Sequence, residues 1–141
     1  MVYFKNNQTT YQMPKSFQYC ETTVMLGTGA ADNIELIRKS NPSWWWLHLD
    51  TVPSGHVVIM TDELQQPLID FAAHVCLNGV GSKKQASALY FKHSKQHFNI
   101  IITKVSNLLI DTPGLELGEV DFKSMSTRKL VKFSIIYKND I

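Results

Sequence analysis

The chain has 141 residues, 44% of them hydrophobic and 18% charged; this suits one ordinary folded domain with a sizeable core and excludes a disordered chain. Lys and Arg number 14 against 12 Asp and Glu, a net charge of +2 that is too small to declare a nucleic-acid partner, so the placement of charge matters more than its sum. The two cysteines, Cys20 and Cys76, form neither a disulfide framework nor a Cys-x-x-Cys pair, no apolar run approaches the roughly 18 residues of a membrane span, and the first residues lack the layout of a secretory signal; a reducing, cytoplasmic setting is expected.

In chain order, Val2 to Phe4 reads as a short edge strand and Asn6 to Pro14 as polar loop. Phe17 to Leu26 mixes aromatic, Thr and Val residues and predicts one strand, stopped by Gly27-Thr28-Gly29. Ala30 to Lys39 predicts a helix: Ala30, Ile34 and Ile37 recur at helical spacing, Asp32 and Glu35 come early, and Arg38 and Lys39 stand in the last turn, where they suit the dipole. Asn41-Pro42-Ser43 ends it.

Trp44 to Met60 is the stretch around which the chain is organised. Two apolar runs flank a segment holding Pro53 and Gly55, the pattern of a hairpin. Alternation puts Trp45, Leu47 and Leu49 on one face and Trp44, Trp46, His48 and Asp50 on the other. Three consecutive tryptophans therefore need cover on both sides, as in a central strand of a packed sheet, unless one side meets a ligand.

Pro67 suits the first turn of a second helix, with Leu68, Phe71, Ala72, Val75 and Cys76 as its stripe and Asn78-Gly79 as its stop. Ser82 to Gln85 has capping-box form and predicts a third helix over Lys83 to His93. Phe98 to Val105 reads as a strand, Asp111 to Gly114 as a turn, and Gly118 to Lys123 and Lys129 to Tyr137 as two closing strands. The expected class is α+β, a single domain (1–141) with a mainly antiparallel sheet and about three helices against it.

Four groups carry candidate chemistry. Gly27-Thr28-Gly29 before a helix places backbone N–H groups where a phosphate could bind, but no Gly-Lys-Ser/Thr follows and a third glycine is missing, so a tight turn is the simpler account. His48, Asp50 and His56 could approach across the hairpin as a two-His-one-carboxylate metal site or metal-enzyme centre; structural hydrogen bonding is the default, and no metal, cofactor or catalytic residue is expected. Ser54 beside His56 lacks the spacing of a triad, and His93 and His97 lack the intervening Glu of a zinc-protease helix. The cationic group is the most suggestive: Lys83, Lys84, Lys92, His93, Lys95, His97 and Lys104 fall within 22 positions (83 to 104) without one Asp or Glu, interleaved with Tyr90, Phe91 and Phe98. Phosphates need clustered cations and unpaired bases stack on aromatics, so this pattern points to nucleic acid; a plain basic surface is the alternative. Arg128, Lys129 and Lys132 extend it if the closing strand lies nearby.

The central stretch resembles the NFACT-R domain, a module of ribosome-quality-control proteins of the NEMF and RqcH type and of a small eukaryotic coiled-coil-domain protein. The resemblance rests on Gly27, Asn33, Trp46-Leu47-His48-Leu49 and Pro53-Ser54-Gly55-His56-Val57-Val58-Ile59, with later echoes at Thr103 to Leu108, read as a later strand, and at Leu117-Gly118-Glu119-Val120, and covers roughly residues 20 to 136. It implies a stand-alone, non-enzymatic module that binds RNA, either tRNA or ribosomal RNA, in translation, with the ribosome and DNA as further candidate partners. Two departures matter. Ser54-Gly55 reverses the family's Gly-Ser order, and Thr28 to Asp32 stand where many relatives place lysines, so phosphate contacts would fall to Lys83 to Lys104. A protein-interaction adaptor using exposed hairpin tryptophans is the competing expectation.

Overall fold

The computed structural model describes residues 14–50, 54–78, 97–111 and 130–136. Among the described residues, six strands form one sheet: β1 (Lys15–Tyr19), β2 (Thr22–Leu26), β3 (Trp45–Leu49), β4 (Val57–Ile59), β5 (His97–Lys104) and β6 (Val131–Ile136). Three helices accompany them: α1 (Ala30–Lys39), α2 (Gln66–Asn78) and α3 (Val105–Asp111). The spatial order is β1-β2-β4-β3-β5-β6, and every neighbouring pair is antiparallel. The class is α+β, as composition and pattern predict.

The tryptophan strand β3 lies inside the sheet between β4 and β5. Its alternation divides the core in two. Leu47 and Leu49 join Val24, Leu26, Val57, Ile59, Ile100 and Ile102 beneath α2, with Trp45 packed at the border. Trp46 joins Val58, Ile101, Leu36 and Ile37 of α1, and Val105 and Leu108 of α3, with Trp44 at the border. Helices thus cover both faces, which is why three adjacent tryptophans are tolerated. Trp46 is fully buried and its two neighbours are half-buried against core clusters, so the hairpin offers no exposed tryptophan patch.

Several boundaries differ from the sequence expectation. Phe17 to Leu26 is not one strand but two, β1 and β2, with Tyr19 opposite Thr22 across a two-residue turn. Cys20 takes φ 54° there, a conformation normally supplied by Gly or Asn, so the turn carries no compositional signal. In α1 the bounds agree, but the buried set is Asp32, Asn33, Leu36 and Ile37, and Ala30 is exposed. With this rotation Asn33 Oδ1 accepts from His56 N–H inside, and Asp32 Oδ2 turns back to Thr28.

After Lys104 the chain turns at once into a helix where the resemblance implies a strand. Val105 and Leu108 recur at helical spacing and are fully buried. The seven-residue α3 is too short to stand alone. Its first donors bond outside the helix: Val105 N–H to Trp44 O at 2.9 Å and Ser106 N–H to Pro42 O at 3.0 Å. The expected edge strand Val2 to Phe4, the helix Lys83 to His93 and the strand Gly118 to Lys123 lie outside the described residues.

Candidate functional site

The motif residues Gly27, Asn33, Trp46, His48, Gly55 and His56, scattered over thirty positions (27 to 56), meet at one corner where β2 leaves the sheet for α1. Gly27 N–H donates to His56 O at 2.8 Å, and His56 N–H donates to Asn33 Oδ1 at 3.3 Å. A side chain at Gly27 would overlap Asn33 Oδ1, and one at Gly55 would overlap the carbonyl oxygen of Gly27 and come within 2.8 Å of Leu26 Cδ1. Gly27 is therefore demanded by the close approach of the Asn33 side chain, and Gly55 by that of the Gly27 backbone. Pro53 and Gly118, the remaining motif residues, lie outside the described residues.

Beneath this corner three rings pack together. His48 stacks on Trp46 at 5.7 Å between centroids, His56 meets the Trp46 ring edge-on at 5.5 Å, and the two imidazoles are T-shaped at 5.2 Å. His48 Nδ1–H donates to Leu49 O at 2.7 Å, which holds the ring in one orientation. Burial lowers the His48 pKa, against partial support from backbone hydrogen bonds and Asp50. Burial, reinforced by His48, pushes His56 down to about 3. Both imidazoles are thus neutral at pH 7.

The histidines come together as the metal reading requires, but the carboxylate does not join them. Asp50 Oδ2 pairs with Lys132 Nζ at 3.6 Å. Among the described residues, no three or more His, Cys, Asp or Glu side chains are grouped to hold a metal ion. Ser54 is no nucleophile of a triad either: its Oγ donates to Gly55 O at 3.0 Å, accepts from Leu49 N–H at 3.3 Å and lies 3.3 Å from Cys76 Sγ.

The glycine turn before α1 is a tight turn that holds its own anion. Thr28 N–H and Thr28 Oγ1–H both donate to Asp32 Oδ2 at 2.8 Å. That carboxylate occupies the place near the helix N-terminus that a phosphate would want. Asp32 and Thr28 are corner residues that composition alone does not single out. An acidic residue at the third helical position after Gly-Thr-Gly is the one local signal, since it can reach back to a free N–H.

The predicted cations divide. Lys83, Lys84, Lys92, His93 and Lys95 lie outside the described residues. His97 and Lys104 begin and end β5; at seven positions apart they point to opposite faces and are separated by about 23 Å of strand. His97 is exposed. Lys104 is engaged: Nζ donates to Ser43 O at 2.6 Å and to Asp62 O at 3.4 Å and rides 4.5 Å from the Trp45 ring centroid. Trp45 Nε1–H completes this staple with a 3.2 Å bond to Asp62 O.

No protein-family model matches the chain, and no curated protein matches it. Among solved structures it is similar to the C-terminal part of the fibronectin/fibrinogen-binding protein from Streptococcus suis, with a TM-score of 0.71 at 18% identity. The match covers 96% of this chain and 50% of that one, so this chain spans about half the length of its structural neighbour. At that identity the two share a fold.

Proposed function

We propose that this chain is a non-enzymatic nucleic-acid-binding module of NFACT-R type that takes RNA, of the tRNA or ribosomal class, in the cytoplasm. The observation that carries the reading is the acid-free cationic run of positions 83 to 104, with aromatics interleaved. The motif corner supports it as a scaffold: every described motif residue serves packing or backbone bonding there, so binding falls to side chains elsewhere. Lys104 belongs to the Trp45 staple, which leaves Lys83, Lys84, Lys92 and Lys95 for phosphates, assisted by His93 and His97. Among the described residues no helix is long and apolar enough to cross a membrane.

Titration with single-stranded and hairpin RNA over a salt series tests this. About four neutralised phosphates predict a log–log slope near −3, and the double reversal Lys83→Glu, Lys84→Glu lowers affinity about tenfold or more. An unchanged binding curve for the double variant overturns the assignment. A protein-binding adaptor is the second reading, favoured by the structural neighbour's name as a fibronectin/fibrinogen-binding protein. Salt-insensitive capture of a protein with no RNA shift would favour it.

A further inference from the structure

We propose that His48 and His56 form an acid-sensitive latch whose protonation releases the Gly27 turn and the Gly55 segment from the sheet and loosens the start of α1. The latch is built from contact geometry. The two rings lie 5.2 Å apart and both rest on the buried Trp46 ring. The backbone of His56 ties the corner in both directions, accepting from Gly27 N–H and donating to Asn33 Oδ1. Neither Gly27 nor Gly55 has room for a side chain, so the segments approach closely there. A displaced His56 therefore takes the turn and the first turn of α1 with it.

Among the described residues, the side chains packed on this corner are mainly apolar. On β3 the nearest carboxylate is Asp50, which is shared with Lys132 of β6. On α1, Asp32 Oδ2 accepts from Thr28 and its Oδ1 is buried with no hydrogen-bond partner among the described residues, while Lys39 pairs with Glu35 at the exposed far end. Strand β4 presents Val58, β5 presents Ile101 and Thr103, and α3 presents Val105 and Leu108, none of them charged. His56 Nδ1 is buried with no hydrogen-bond partner among the described residues. A second proton would put two cations at stacking distance. The lowered pKa of both rings follows from the same burial.

Once the corner opens, each imidazole regains its ordinary affinity for a proton near pH 6.5. The opening equilibrium then rises about tenfold per pH unit below that value for one histidine and about a hundredfold for two. Amide hydrogen exchange on the intact chain between pH 7.5 and about 5, corrected for intrinsic rates, reads this directly. Protection at Gly27, His56 and the first turn of α1 should fall by that factor per unit, ahead of Leu47 and Ile102 in the sheet centre. The variant His48→Gln should reduce the slope to the one-proton value. If that variant does not fold, side-chain titration of the native protein by NMR decides instead: His56 should stay neutral in the folded signal down to about pH 5, and His48 should titrate below its ordinary 6.5. Equal loss of protection at the corner and the sheet centre, or a folded-state imidazole titrating near 6.5, overturns the proposal.

Discussion

At Gly27 the difference between hydrogen and a methyl group decides whether Asn33 can reach His56. The substitution Gly27→Ala drives Asn33 Oδ1 away and strands the buried His56 N–H, a loss of about 1–3 kcal/mol. Asn33→Ala removes the same acceptor for a similar cost but also removes the overlap, so the double variant should cost clearly less than the sum, as a double-mutant cycle in urea would show. Gly55→Ala meets backbone rather than a movable side chain and should destabilise by more, about 3 kcal/mol. The two cysteines differ as sharply. Cys20 is exposed in its turn, whereas Cys76 is buried and desolvation pushes its thiol up to about 12. Iodoacetamide should therefore modify Cys20 in the native protein and Cys76 only after unfolding, as peptide mass spectrometry would register.

Among the elements, α3 depends most on its surroundings. It begins where β5 ends, takes its N-terminal acceptors from residues 42 and 44 and buries Leu108 beside Trp46. Leu108→Ala should cost about 2–5 kcal/mol by emptying that space, measurable as a shift in urea midpoint. The staple of Trp45, Lys104, Ser43 and Asp62 joins β3, β5 and the segment before α2. Lys104→Met keeps the stem but removes the charge over the ring, so stability should drop by about 1 kcal/mol. RNA affinity should change far less in that variant than in the Lys83, Lys84 double reversal. A comparable loss would return Lys104 to the binding set.

Across the whole molecule, the sheet and its two apolar layers set a pH window. His56, and His48 with it, have folded pKa values below the ordinary 6.5. The unfolded chain therefore binds their protons first, and the stability from keeping them neutral is complete above 6.5 and lost as pH falls below it, for His56 down toward about 3. Cys76 works at the other end: its folded value lies above the ordinary 9.0, so its contribution is complete below 9 and lost as pH rises toward about 12. Urea midpoints should be highest between about 6.5 and 9, and the unfolding free energy should fall on the acid side by about 1.4 kcal/mol per pH unit for His56, with His48 adding in the same direction. A midpoint flat from pH 7 to 4 would contradict the buried neutral pair.

Much of this architecture was readable in the one-dimensional pattern. The alternation through Trp44 to Leu49 assigned both faces correctly, because side chains on a strand have no choice but to alternate. The bounds of α1 and the stripe of α2 followed from spacing, the Pro67 start and the Asn78 stop. The motif residues were visible through resemblance, yet their purpose was not: Gly27, Asn33, Gly55 and His56 are far apart in sequence and acquire meaning as one corner only when β2 and β4 pair. The inward rotation of Asn33 and the helix after Lys104 escaped for the same reason: each depends on a bonding partner or a packed face supplied by distant chain that local propensity does not encode. The turn at Cys20 escaped because its positive φ falls on a residue that gives no turn signal. Periodicity determined which side of each strand is apolar; tertiary contact alone decided which polar groups could be buried beside it.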